Sequence, residues 1–217
     1  QADSGQIKVF DKDFRATSSK QSIEAGIGMV HQHFMLVDNF TVLENVILGS
    51  EGSALITQSL EKARIELTRL AKEYGLEVEL DIAVEDLSVG MQQRVEILKG
   101  LYKGAKVLIL DEPTGVLTPQ ESDELFRIFE ALKKQGVTII LITHKLREIM
   151  SITDHVSVMR AGKMVAHLQT SETNPEELAE LMIGRKVLLN INKTKAKSGK
   201  ALLVANNLEI HNEQGLK

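Results

Sequence analysis

Two adjacent carboxylates close the stretch Val107-Leu108-Ile109-Leu110-Asp111-Glu112-Pro113-Thr114. The apolar run ahead of them predicts a buried strand, so Asp111 and Glu112 emerge at its carboxyl end, where α/β sheets bind ligands. A carboxylate pair in that position suits a Mg²⁺–phosphate site. The hard cation takes oxygen ligands and keeps several waters, and a neighbouring carboxylate orients or deprotonates an attacking water. A strand that ends in a solvated acidic turn has the same pattern, and this motif alone does not separate the two.

Upstream lies Leu87-Ser88-Val89-Gly90-Met91-Gln92-Gln93-Arg94. Ser and Gly at a helix start leave backbone N–H groups and the positive end of the helix dipole facing outward, an arrangement that attracts phosphate. Read by itself, Ser88 is more simply an ordinary N-cap.

The elements around these motifs follow from apolar spacing. Gln6–Phe10 alternates as a short strand, Ile27–Val30 is a second apolar run ending at His31-Gln32-His33, and Thr41–Leu48 has the pattern of a short amphipathic helix. Leu60, Ala63, Leu67, Leu70, Ala71 and Tyr74 fall at helical spacing, with Gly75 as the stop. A helix after Ser88 carries Val95, Leu98, Leu101 and Tyr102 on one side. Thr118-Pro119-Gln120-Glu121 is a capping box with Pro at the first helical position. It opens a helix with Leu125, Ile128, Phe129 and Leu132 inward and Gly136 at its end. Val137–Ile142 reads as a second strand buried on both faces, like Val107–Leu110. A helix over Lys145–Ile152, a hairpin of His155–Met159 and Met164–Leu168, and a last helix capped by Asn174-Pro175 complete the pattern. Alternating strands and helices with buried runs predict an α/β fold around a mostly parallel sheet. The helical stretch 33–103 is expected as an inserted subdomain.

LSVGMQQR followed by LILDEPT resembles the signature and Walker B motifs of ABC-type ATPases, in order and spacing. The resemblance extends to Ile27–Gln32, like that family's Q-loop, and to Leu141-Ile142-Thr143-His144, like its switch histidine; it spans about residues 1–185. It implies that Asp111 and Gln32 bind Mg²⁺ with ATP, that Glu112 is the general base and that His144 contacts the γ-phosphate. Ser88, Gly90 and Gln92 would complete the nucleotide site of an opposing ATPase domain, because two such domains sandwich two ATP molecules in this family. Within it, Asn39–Val46 and Leu117–Glu121 look most like importers of simple sugars or nucleosides, whose ATP-binding subunits carry two ATPase domains in one polypeptide. Ala201–Leu208 resembles the opening strand of a second domain, which makes 186–200 a linker and 201–217 the start of that domain. The partners implied are transmembrane permease subunits and, through them, an extracytoplasmic solute-binding protein. The place implied is the cytoplasmic face of the membrane.

Three departures qualify the resemblance. No G-x-x-x-x-G-K-[ST] occurs in the 217 residues, since Gly162-Lys163 and Gly199-Lys200 lack the earlier Gly and the following hydroxyl residue. In the family this Walker A loop precedes the position of Gln1, and Asp3–Ile7 resembles the segment after the Walker A helix. The chain is therefore expected to be incomplete at its N-terminus and unable to hydrolyse ATP alone. Met91 stands where the signature commonly has Gln, and Thr118 where many members place Asp.

Composition narrows the alternatives. There is no Cys, which excludes disulfides, thiolate metal sites and cysteine catalysis. A net charge of -4 argues against a nucleic-acid surface, and Lys193–Lys200 reads as a solvated linker. No apolar run approaches the roughly 20 residues needed to cross a bilayer. A non-transport ABC protein acting on ribosomes or DNA is one alternative function, although long insertions and basic arms are absent. A catalytically inert module that docks a permease is another. Its surface would be Phe34–Val46, whose apolar residues serve equally well as subdomain core.

Overall fold

Apolar periodicity and capping chemistry place almost every element where the chain forms one. The computed structural model describes residues 3–15, 17–48, 56–186, 199–200, 203–206 and 208. Along them run β1 (Lys8–Val9), β2 (Lys12–Asp13), α1 (Ser19–Glu24), β3 (Ile27–Val30), α2 (Val42–Ile47), α3 (Ile56–Tyr74), α4 (Val89–Tyr102) and β4 (Val107–Asp111). There follow α5 (Pro119–Lys134), β5 (Thr138–Ile142), α6 (Leu146–Ile152), β6 (His155–Arg160), β7 (Lys163–Gln169) and α7 (Pro175–Ile183). Most of the expected linker and the expected start of a second domain lie outside the described residues. Among those described, 203–206 pair with no strand and Leu203 is exposed.

The central sheet is parallel, with order β3-β4-β5. Gly28 stands beside Leu108 and Met29 beside Ile109, while Leu110 stands beside Leu141 and Asp111 beside Ile142. Parallel strands need long crossovers. The β3-to-β4 crossover consists of α2, α3 and α4, and these helices share one apolar core with the sheet: Val42, Leu67 and Leu98 bury with Leu108, Leu110 and Leu132. A second, smaller core gathers Ile149, Val158 and Leu178 from α6, β6 and α7.

Sequence expectation and structure differ in four places. Val137–Ile142 and Val107–Leu110 were expected to be buried on both faces. Leu108 and Leu110 are fully buried, but Met29, Ile140 and Ile142, aligned on the opposite face, are exposed, and Val107 and Ile109 are half-buried. Helices α4 and α5 cover one face only, and a run of apolar residues is the same string whichever face is covered. The strand over Gln6–Phe10 shrinks to Lys8–Val9, which turns at once into β2 through Phe10 and Asp11, both at positive φ. Helix α1, within a stretch that reads only as polar, buries no side chain, so it has no apolar stripe to reveal it; Ser18 caps it. Helix α3 starts at Ile56, a turn before its first periodic residue.

Local chemistry accounts for most boundaries. Thr41 and Thr118 each form a complete capping box, with Glu44 and Glu121 respectively. The β6–β7 turn uses Ala161 and Gly162 at φ 48° and 74°, the two successive positive values that a tight hairpin turn requires.

Candidate active site

Because β3, β4 and β5 are parallel and in register, all three end at one edge of the sheet. The segments leaving that edge begin with His31-Gln32, Glu112 and Thr143-His144. Glu112 extends the ladder by one bond, its N–H donating to Ile142 O at 2.8 Å. It then turns with φ +47°, a left-handed conformation that costs a non-glycine residue about 1–2 kcal/mol. That turn faces its carboxylate toward the β5 loop. His144 Nδ1 lies 2.6 Å from Glu112 Oε1, a hydrogen bond with the imidazole N–H as donor. The pair is half open: the Glu112 side chain is 20% exposed and that of His144 71%.

Asp111 is half-buried at the end of β4, and Gln32 is exposed beyond β3. Neither side chain makes a hydrogen bond to another described residue, so their oxygens remain available. That donor set fits Mg²⁺, which takes one or two protein oxygens plus waters and substrate phosphates. The group of candidates drawn from three separate motifs thus meets at one sheet edge.

Next to the Glu112–His144 pair along both chain segments lies a cluster that sequence reasoning missed. Lys145 Nζ donates to Thr114 O and Thr114 Oγ1, each at 2.8 Å, and the Thr114 hydroxyl donates to Glu148 Oε1. Thr114 and Glu148 are both buried. A hint was available in the sequence, since Lys145 and Glu148 lie three apart on a helix start, but nothing in their spacing names Thr114.

The segment after Gln32 is strapped to the helices by two buried polar residues, also unforeseen. Glu96 accepts from Met35 N at 3.0 Å, and Asn45 accepts from Val37 N at 2.7 Å while returning a bond to Val37 O. The apolar residues of this segment divide: Leu36 packs on the core, whereas Met35 is 64% and Phe40 36% exposed.

Ser88, Gly90 and Gln92 stand at the start of α4. Ser88 Oγ accepts from Met91 N at 3.4 Å and is the N-cap. Gln92 turns inward, its amide nitrogen donating to Val84 O and Leu87 O at 3.2 Å each. Gly90 packs against Glu121 of the α5 capping box. A small cavity between α4 and α5 is lined by Ser88, Gly90, Gln93 and Arg94 of α4, and an ion pair from Arg94 to Glu124 bridges the same two helices.

The family model described as ABC transporter matches residues 1–115, more than half of the 217. The chain belongs to the ABC transporter family. It is 47% identical over 211 residues to the nucleoside import ATP-binding protein NupA of Lactococcus lactis, covering 97% of this chain and 42% of that protein. It is 46% identical over 217 residues to the guanosine import ATP-binding protein NupO of Bacillus subtilis, covering 100% of this chain and 42% of that protein. The chain therefore spans about two fifths of the length of these curated relatives. Among solved structures it resembles cbiO1 of Clostridium perfringens, part of the ABC transporter complex cbiONQ. The TM-score is 0.66 at 30% identity, over 83% of this chain and 70% of that one. These matches bear out the α/β ABC-type ATPase fold. No described helix is long and apolar enough to cross a membrane.

Proposed function

We propose that this ABC-family chain is part of the ATP-hydrolysing subunit of an importer, with a nucleoside as the favoured solute class and a simple sugar as the second. The observation that carries the hydrolytic part is the Glu112–His144 contact at the carboxyl edge of the sheet. The solute class rests on the relatives, whose names concern nucleoside and guanosine import.

Geometry suggests a role for each residue. Glu112 Oε1 is occupied by His144 Nδ1–H, and Oε2 has no partner among the described residues, so Oε2 is the atom that takes a proton from an attacking water. Donating through Nδ1 holds His144 with Nε2 outward, toward the γ-phosphate of a bound nucleotide. Asp111 and Gln32 supply oxygen ligands for Mg²⁺, directly or through water. When bound, Mg²⁺ offsets phosphate charge and orients the leaving group. The exposed start of α4, with Ser88 and Gly90, serves the nucleotide of a second ATPase domain, from the same or another chain. Met35 and Phe40 are the contact for permease subunits, placing the subunit on the cytoplasmic membrane face.

The 217 residues contain no phosphate-cradling loop, so the chain by itself does not hydrolyse ATP. Two measurements test the proposal. Titration calorimetry of the 217-residue chain with Mg-ATP is expected to show binding no tighter than about 0.1 mM, roughly -5.5 kcal/mol. In a longer form carrying the loop, Glu112→Gln is expected to lower hydrolysis by about 10²–10⁴ while nucleotide binding persists. Undiminished hydrolysis in that variant would remove Glu112 from the role of base.

A further inference from the structure

We propose that Lys145, Thr114 and Glu148 form a positioning clamp that sets the geometry of the Glu112–His144 pair. Lys145 directly follows His144, and Thr114 stands two residues after Glu112. The ammonium of Lys145 reaches across from the β5 loop and takes both the carbonyl and the hydroxyl oxygen of Thr114, at 2.8 Å each. The hydroxyl donates its own proton to Glu148 Oε1, and Lys145 Nζ lies 3.5 Å from the same oxygen. The two loops that present the carboxylate and the imidazole are thus cross-linked one residue after His144 and two after Glu112.

A lysine and a glutamate three apart on a helix are commonly a surface pair of little consequence. Here the glutamate is only 3% exposed, Thr114 only 2%, and the ammonium makes its shortest contacts with the other loop rather than with its own helix. Thr114 Oγ1 accepts once and donates once, and the Lys145 charge stands against that of Glu148; within the cluster only Glu148 Oε2 lacks a partner among the described residues. Such a charge-assisted network holds its members in one geometry. Glu112 needs that support, because a left-handed non-glycine residue persists only where its surroundings over-determine it. The clamp residues touch no reacting group; they act through Glu112 and His144.

The inference rests on Glu112 and His144 being the hydrolytic pair, and its test uses no nucleotide, so the two claims fail separately. Long-range ¹H–¹⁵N spectra of the 217-residue chain at about pH 9, above the ordinary imidazole range, report which His144 nitrogen carries the proton. The parent chain is expected to show the Nδ1–H tautomer. Lys145→Met and the isosteric Thr114→Val are expected to shift it toward Nε2–H while the backbone spectrum is otherwise kept. Thr114→Ser, which retains the hydroxyl, is expected to keep the parent tautomer. An unchanged tautomer in either folded variant, or Nε2–H in the parent, overturns the proposal. So does failure of both variants to fold, which would assign the cluster to the core alone. A failed Glu112→Gln activity test with the tautomer shift intact would instead remove the hydrolytic assignment and leave the clamp.

Discussion

Gly90 and Glu121 meet so closely that a Cβ on Gly90 would stand 2.8 Å from Glu121 Oε1 and 3.2 Å from its Cδ. The other carboxylate oxygen, Oε2, accepts from Thr118 N at 2.9 Å and completes the α5 capping box. The start of α4 therefore leans on the cap of the helix that follows the Glu112 loop, which gives Gly90 a structural reason beside its place in the signature. Gly90→Ala sets two effects against each other. Alanine is favoured over glycine within a helix by about 1 kcal/mol, and a displaced Glu121 loosens the α5 cap. Global stability is expected to move by less than about 1 kcal/mol, while the Thr118 amide loses hydrogen-exchange protection. Full protection of that amide in a folded Gly90→Ala chain would show that the contact does not matter to the cap.

The left-handed turn at Glu112 predicts a trade between stability and chemistry. Removing the Cβ relieves the conformation, so Glu112→Gly is expected to raise unfolding stability by about 1 kcal/mol in urea denaturation, even though the His144 contact is lost. A destabilised variant would mean that the carboxylate holds the loop more strongly than the backbone resists it.

The capping boxes predict a pH dependence. Hydrogen bonds from the Thr41 and Thr118 backbone N–H groups, then from their hydroxyls, hold Glu44 and Glu121 below the ordinary value of 4.5. A carboxylate with a depressed native pKa contributes stability that is present above the unfolded value and disappears as pH falls through the native one. Between about pH 5 and pH 3, a Glu44→Gln/Glu121→Gln double variant is expected to lose stability less steeply than the parent chain. Parallel curves over that range would show that neither carboxylate reports on the fold.

The exposed pair Met35 and Phe40 separates docking from packing. Both face solvent while Leu36 fills the core, so Met35→Glu and Phe40→Glu are expected to change stability by less than about 0.5 kcal/mol. Under the proposed importer function, the same changes in the full-length protein are expected to weaken co-purification with permease subunits. Intact permease binding in both variants would move the docking surface elsewhere.

Much of this molecule is legible in its chain because its signals are short. Thr118 and Glu121 cap a helix three residues apart, Leu125, Ile128, Phe129 and Leu132 mark its buried stripe, and Gly136 ends it; each signal lies within a turn or two of its partner. Helix α1 has no such signal because it buries nothing. The motifs around Ser88, Asp111 and His144 are likewise short, and their order supports the family reading that none supports alone.

The amino-acid sequence by itself determined most of the strands and helices, where most of them begin, and which side chains are candidates for acid, imidazole and amide chemistry. Only the tertiary structure decided that Glu112 and His144 touch across 32 residues of chain, that Lys145 reaches Thr114, and that Ile140 and Ile142 face outward. The physical reason is the range of the forces. Capping and periodicity act between near neighbours and are written in spacing, whereas strand register and helix coverage are fixed only when distant segments pack together.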